Sequence, residues 1–70
     1  MRKNLKMLRI EKELTQAQMA DRLGVTRTTY CHIENGKSEG TMRFWVKLKS
    51  EFPEADIDTM IARKDWDHEG

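Results

Sequence analysis

Arg27, Thr28, Cys31 and His32 place a guanidinium, a hydroxyl, a thiol and an imidazole within six consecutive residues, and their spacing decides what chemistry they can do. On a helix advancing about 100° per residue they share one flank, opposite Thr26, Thr29, Tyr30 and Ile33. Nucleophilic catalysis needs a base that faces the thiol, and Cys31 and His32 are neighbours on a helix that point apart. One cysteine beside one histidine has no metal-ligand spacing. No carboxylate pair sits in an apolar setting. The expectation is no enzyme, no metal and no cofactor. The flank can instead exchange hydrogen bonds outward, which suits the donor and acceptor pattern on base edges in a DNA major groove. A solvated helix face has the same periodicity.

The elements that must position this flank are written just before it. Thr15-Gln16-Ala17-Gln18 has the threonine and glutamine of a capping box, so a helix starts at Thr15, with Met19, Ala20 and Leu23 on its inner face. Gly24 supplies the left-handed conformation that ends it, and Thr26 caps the next helix almost at once. So short a connection leaves two helices crossing steeply, as in a helix-turn-helix. Asn35-Gly36 closes the second of them.

The run from Leu14 to Lys37, LTQAQMADRLGVTRTTYCHIENGK, resembles the helix-turn-helix of the phage Cro and lambda-type repressor family. The matching positions are Gln16, Ala20 at the helix crossing, Gly24 and Val25 in the turn, Ile33 as inward anchor, and Ile33-Glu34-Asn35-Gly36-Lys37. The resemblance spans roughly Leu5 to Ile61. It departs at Tyr30, where the family more often has a branched aliphatic; the ring must tuck against another helix or reach a phosphate. The resemblance implies double-stranded DNA as partner, with base reading by Arg27, Thr28 and His32 and lesser roles for Cys31 and Thr29. It also implies phosphate contacts from Gln16, Asn35, Lys37 and Arg43, with the loop after the recognition helix donating amides. By the same resemblance Arg9 is expected to form a partly buried ion pair with Glu34. A sequence-specific transcriptional regulator follows, a small repressor of phage or mobile-element type. It would act as a homodimer at least on DNA. The competing reading is an antitoxin or adaptor whose C-terminal region docks a protein partner.

Seventy residues allow one domain, and a chain this small buries only about 60% of its unfolded surface. No membrane-length apolar segment or signal peptide is present, so a cytoplasmic protein without membrane contact is expected. Net charge is only +1, but it divides along the chain: eleven basic against five acidic residues up to Ser50, then two against seven. A basic body could meet phosphates while acidic residues point elsewhere.

The first helix is expected over Met1 to Glu13, with Leu5, Leu8 and the stem of Lys12 inward and Met7 and Ile10 at its edges. Arg2, Lys3 and Lys6 read as an exposed basic end, either an arm near the DNA backbone or a solubilising terminus. Thr41 can cap a fourth helix to about Phe52, with Phe44, Leu48 and Phe52 in the core and Trp45 at the edge of the stripe. Pro53 interrupts, and Asp56 can start a short fifth helix carrying Ile57, Met60 and Ile61. The whole is an all-α bundle of five short helices. A helix-turn-helix DNA-binding domain is expected over residues 1–62 and a loosely ordered acidic tail over 63–70. Trp45, Met60, Ile61 and Trp66 are the apolar residues least certain of a core place, and so the candidates for a dimer surface.

Overall fold

Threonine hydroxyls start three of the helices in the computed structural model, which describes residues 1–62. Thr15 Oγ1 accepts from the Gln18 amide at 3.1 Å while Gln18 Oε1 accepts from the Thr15 amide at 2.8 Å, closing the capping box. Thr26 and Thr41 accept from the amides of Thr29 and Phe44, each at 3.1 Å. Four helices of eight to ten residues result: α1 (Lys3–Glu11), α2 (Gln16–Leu23), α3 (Arg27–Glu34) and α4 (Met42–Glu51). A six-residue helical segment, α5 (Ile57–Ala62), follows. Among the described residues every regular element is helical. The tail expected at 63–70, with Trp66, lies outside them.

Gly24 ends α2 at φ 71°, its amide donating to Asp21 and that of Val25 to Ala20. This paired reach back into the last turn satisfies two carbonyls that the helix leaves orphaned. Gly36, at φ 88°, ends α3 in the same way. Phe52 ends α4 at φ −132°, ψ 78°, outside the helical region that a following proline disfavours for the residue before it.

The core gathers Leu5 and Leu8 of α1, Met19, Ala20 and Leu23 of α2, Tyr30 and Ile33 of α3, and Phe44, Trp45 and Leu48 of α4, closed by Phe52, Ala55 and Met60. Three expectations change here. Arg2 is not an exposed basic end but fully buried, because its guanidinium meets main-chain carbonyls from three parts of the chain. Trp45 and Met60 are buried rather than available for a dimer surface; the indole has a partner inside, its Nε1 donating to the Glu39 carbonyl at 3.1 Å. Of the remaining candidates, Trp66 and the Ile61 side chain lie outside the described residues. Met7 and Ile10 are more than half exposed, because α1 needs only one face to cover the core.

Candidate nucleic-acid interface

The inner seam of α3 is narrower than its periodicity predicts, which frees more of the helix for contact. Tyr30, Ile33 and Glu34 are buried, whereas Thr26 and Thr29 are exposed and Thr26 Oγ1 donates to Thr29 Oγ1 at 2.9 Å. Arg27, Thr28 and His32 are exposed beside them, and Cys31 is half-buried. The helix thus presents an arginine, two threonines and a histidine on one continuous surface, one threonine hydroxyl being partly occupied by the cap.

A buried carboxylate holds this surface in place. Glu34 Oε2 accepts from Arg9 Nε at 2.9 Å and from the Tyr30 hydroxyl at 2.6 Å. Glu34 Oε1 accepts from Gln16 Nε2 at 3.0 Å and from Arg9 Nη2 at 3.4 Å. Burial opposes the charge on Glu34, but the hydrogen bonds from Arg9, Tyr30 and Gln16 outweigh it and hold the carboxyl below its ordinary range. Burial, reinforced by the bond to Glu34, pushes the Tyr30 hydroxyl well above its usual value. Tyr30 therefore does not reach outward toward a phosphate: its ring packs 6.3 Å from Phe44 and its hydroxyl is committed to Glu34. Arg9 also donates from Nη1 to the Leu14 carbonyl at 3.0 Å, so one guanidinium ties α1, the turn into α2 and the end of α3.

The candidate phosphate contacts surround α3. Gln16 opens α2, half-buried, with part of its side-chain amide engaged by Glu34. Asn35, Lys37 and Arg43 are exposed. The loop between α3 and α4 differs from expectation, since the amides of Gly36, Lys37 and Ser38 turn inward to the Ile33 and His32 carbonyls. Amides already spent on capping a helix are not left to bind an anion, so at residues 36–38 the loop can offer side chains rather than main-chain donors.

Sequence reasoning missed the Tyr30 and Gln16 bonds to Glu34. A signal for the first existed, because residues four apart on a helix are neighbours. Gln16 and Glu34 are eighteen residues apart and carry no local signal. Among the described residues no group of three or more His, Cys, Asp or Glu could hold a metal ion, and no helix is long and apolar enough to cross a membrane.

A family model described as helix-turn-helix matches residues 5–50. A Bacillus subtilis (strain 168) protein, the uncharacterized HTH-type transcriptional regulator YqaE, is 51% identical to this chain over 47 residues, which cover 67% of this chain and 40% of that protein. The chain therefore spans well under half of that relative's length. No solved structure matches it.

Proposed function

The chain belongs to the helix-turn-helix family, and from that premise we propose that it is a DNA-binding transcriptional regulator that reads sequence through the outer flank of α3. The observation that carries the proposal is the division of α3 into a buried seam of Tyr30, Ile33 and Glu34 and an exposed flank of Arg27, Thr28 and His32. A flank of hydrogen-bonding side chains on a helix gripped from behind can enter a major groove without rearrangement. Arg27 suits a bidentate contact to guanine, Thr28 and His32 suit neighbouring bases, and Thr29 and Cys31 are lesser contacts. Gln16, Asn35, Lys37 and Arg43 meet phosphates and set the register. The name of the Bacillus subtilis relative supports the regulatory role.

In finer detail, we read the chain as a repressor that binds as a homodimer on half-sites about 34 Å apart. Selection of bound sequences from a random duplex pool tests this. Enrichment of a palindrome with half-sites about one helical turn apart is expected. Recovery of unenriched sequences would remove the base-reading assignment, and enrichment of a single unrepeated site would remove the dimer.

A further inference from the structure

Among the described residues the buried charges are Glu34 and Arg2. Glu34 is answered by Arg9, whereas Arg2 meets the same C-terminal end of α3 through main-chain carbonyls and has no part in the interface as drawn so far. A buried guanidinium is costly unless its donors are met. Arg2 donates from Nη1 to the carbonyls of Ile33 and Ser38, from Nη2 to the Glu39 carbonyl at 3.5 Å, and from Nε to the Met60 carbonyl at 3.1 Å. Its Nη2 also lies 3.5 Å from Glu39 Oε1, and its main-chain amide donates to the Glu34 carbonyl at 2.8 Å. The last carbonyls of α3 carry the negative end of its dipole, which suits a cation there.

Trp45 holds the same segment beside Arg2. Its ring lies 5.3 Å from the Arg2 guanidinium, and its Nε1 donates to the Glu39 carbonyl that Arg2 also reaches. Gly40 follows at φ 80°, where a Cβ would sit 2.9 Å from Trp45 Nε1. The stretch from Ile33 to Gly40 is thus fixed from within by two side chains and a glycine. Its outer side exposes Asn35 and Lys37.

We propose that Arg2 and Trp45 are positioning residues for DNA binding, a clamp that sets the loop after α3 so that Lys37 and Asn35 meet the backbone without first being ordered. Neither touches DNA. The inference rests on the phosphate role given to Lys37 above. A loop already fixed does not incur its ordering cost on association.

Trp45→Phe keeps a ring against Arg2 and removes the donor to Glu39. Its affinity for a duplex recovered by the selection above is measured across a salt series, in both the parent and the Lys37→Ala background. The temperature is one at which circular dichroism shows every variant folded. The clamp predicts roughly five- to tenfold weaker binding. It also predicts a shallower salt dependence, tending toward that of Lys37→Ala, and a smaller penalty when Lys37 is already gone. A merely structural role would leave the salt slope unchanged and the penalty equal in both backgrounds, and that result overturns the clamp. Gly40→Ala, which sets a Cβ against the indole Nε1, is expected to give the same pattern and decides the matter if Trp45→Phe does not fold. If the parent protein binds no duplex, the DNA reading fails and the clamp with it; if the parent binds and the variants match it, only the clamp fails.

Discussion

Glu34 receives donors from three other residues, so at the scale of single side chains it is where stability and binding meet. The Glu34 side chain is 2% exposed and that of Arg9 14%, and a buried pair deprived of one member typically costs about 3–5 kcal/mol. Arg9→Ala should therefore lower the thermal midpoint by more than about 10 °C, given about 4–8 °C per kcal/mol in a domain of this size. A melt within two or three degrees of the parent would mean that Tyr30 and Gln16 suffice to hold the carboxylate. On the outer flank the consequence is in recognition rather than folding. Arg27→Ala should relax preference at one base position by about 1–3 kcal/mol, whereas Lys37→Ala should weaken binding to all duplexes alike and reduce the salt slope by about one. Competition binding on a selected site and on random duplex distinguishes them. Equal losses on both for Arg27→Ala would take that residue out of the groove.

At the scale of elements, α1, α2 and α3 end alike, yet only two of them have the residue that makes this easy. Glu13 sits at φ 58°, with its amide donating to Ile10 and that of Leu14 to Arg9, the arrangement that Gly24 and Gly36 make at the other two ends. A side chain in this left-handed conformation costs about 1–2 kcal/mol, part of which a glycine gives back in unfolded-chain entropy. Glu13→Gly should accordingly stabilise the protein by about 0.5–1 kcal/mol, a gain of a few degrees in the melting midpoint. A lower midpoint in calorimetry would show that the Glu13 side chain contributes more than its backbone costs. The strain is affordable because Arg9 fastens the same turn through the Leu14 carbonyl.

For the whole molecule, charge is distributed by folding as much as by order along the chain. Arg2 and Arg9 are consumed inside, and two carboxylates from the acidic stretch fold back, Glu54 onto Lys12 at 2.6 Å and Glu51 onto Lys47 at 3.6 Å. Such exposed pairs add little stability, but they leave Arg22, Arg27, Lys37 and Arg43 among the exposed cations. The described body measures 29 × 23 × 23 Å, shorter than the duplex repeat of about 34 Å, as the proposed one copy per half-site requires. Stability should depend on pH through the Glu34 cluster at both extremes. Because the folded carboxyl titrates below its unfolded value of about 4.3, its contribution is complete above that pH and is lost as pH falls through the lower folded value. Tyr30 is displaced upward, so its contribution is complete below about pH 10 and declines as pH rises beyond it. Urea midpoints measured from pH 7 down to pH 3 should fall more steeply in the parent than in Glu34→Gln, which starts less stable. Parallel curves would assign the acid sensitivity to other carboxylates.

What the residues alone determined is local: the capping threonines, the glycine that ends α2, and a heptad's worth of faces, each set by groups no more than about four residues apart. The Arg9 to Glu34 pair follows only from the family resemblance, since nothing in its sequence neighbourhood implies it. What only the tertiary structure decided is the fate of side chains with two chemically sensible homes. Arg2 reads as a solvated cation until carbonyls up to 58 residues away surround it. Trp45 reads as a stripe edge until the Glu39 carbonyl offers its indole a partner. Tyr30 reads as either anchor or phosphate ligand until Glu34 takes its proton donor. In each case the desolvation of a polar group is settled by partners remote in sequence, and that placement becomes visible only once the chain has closed on itself.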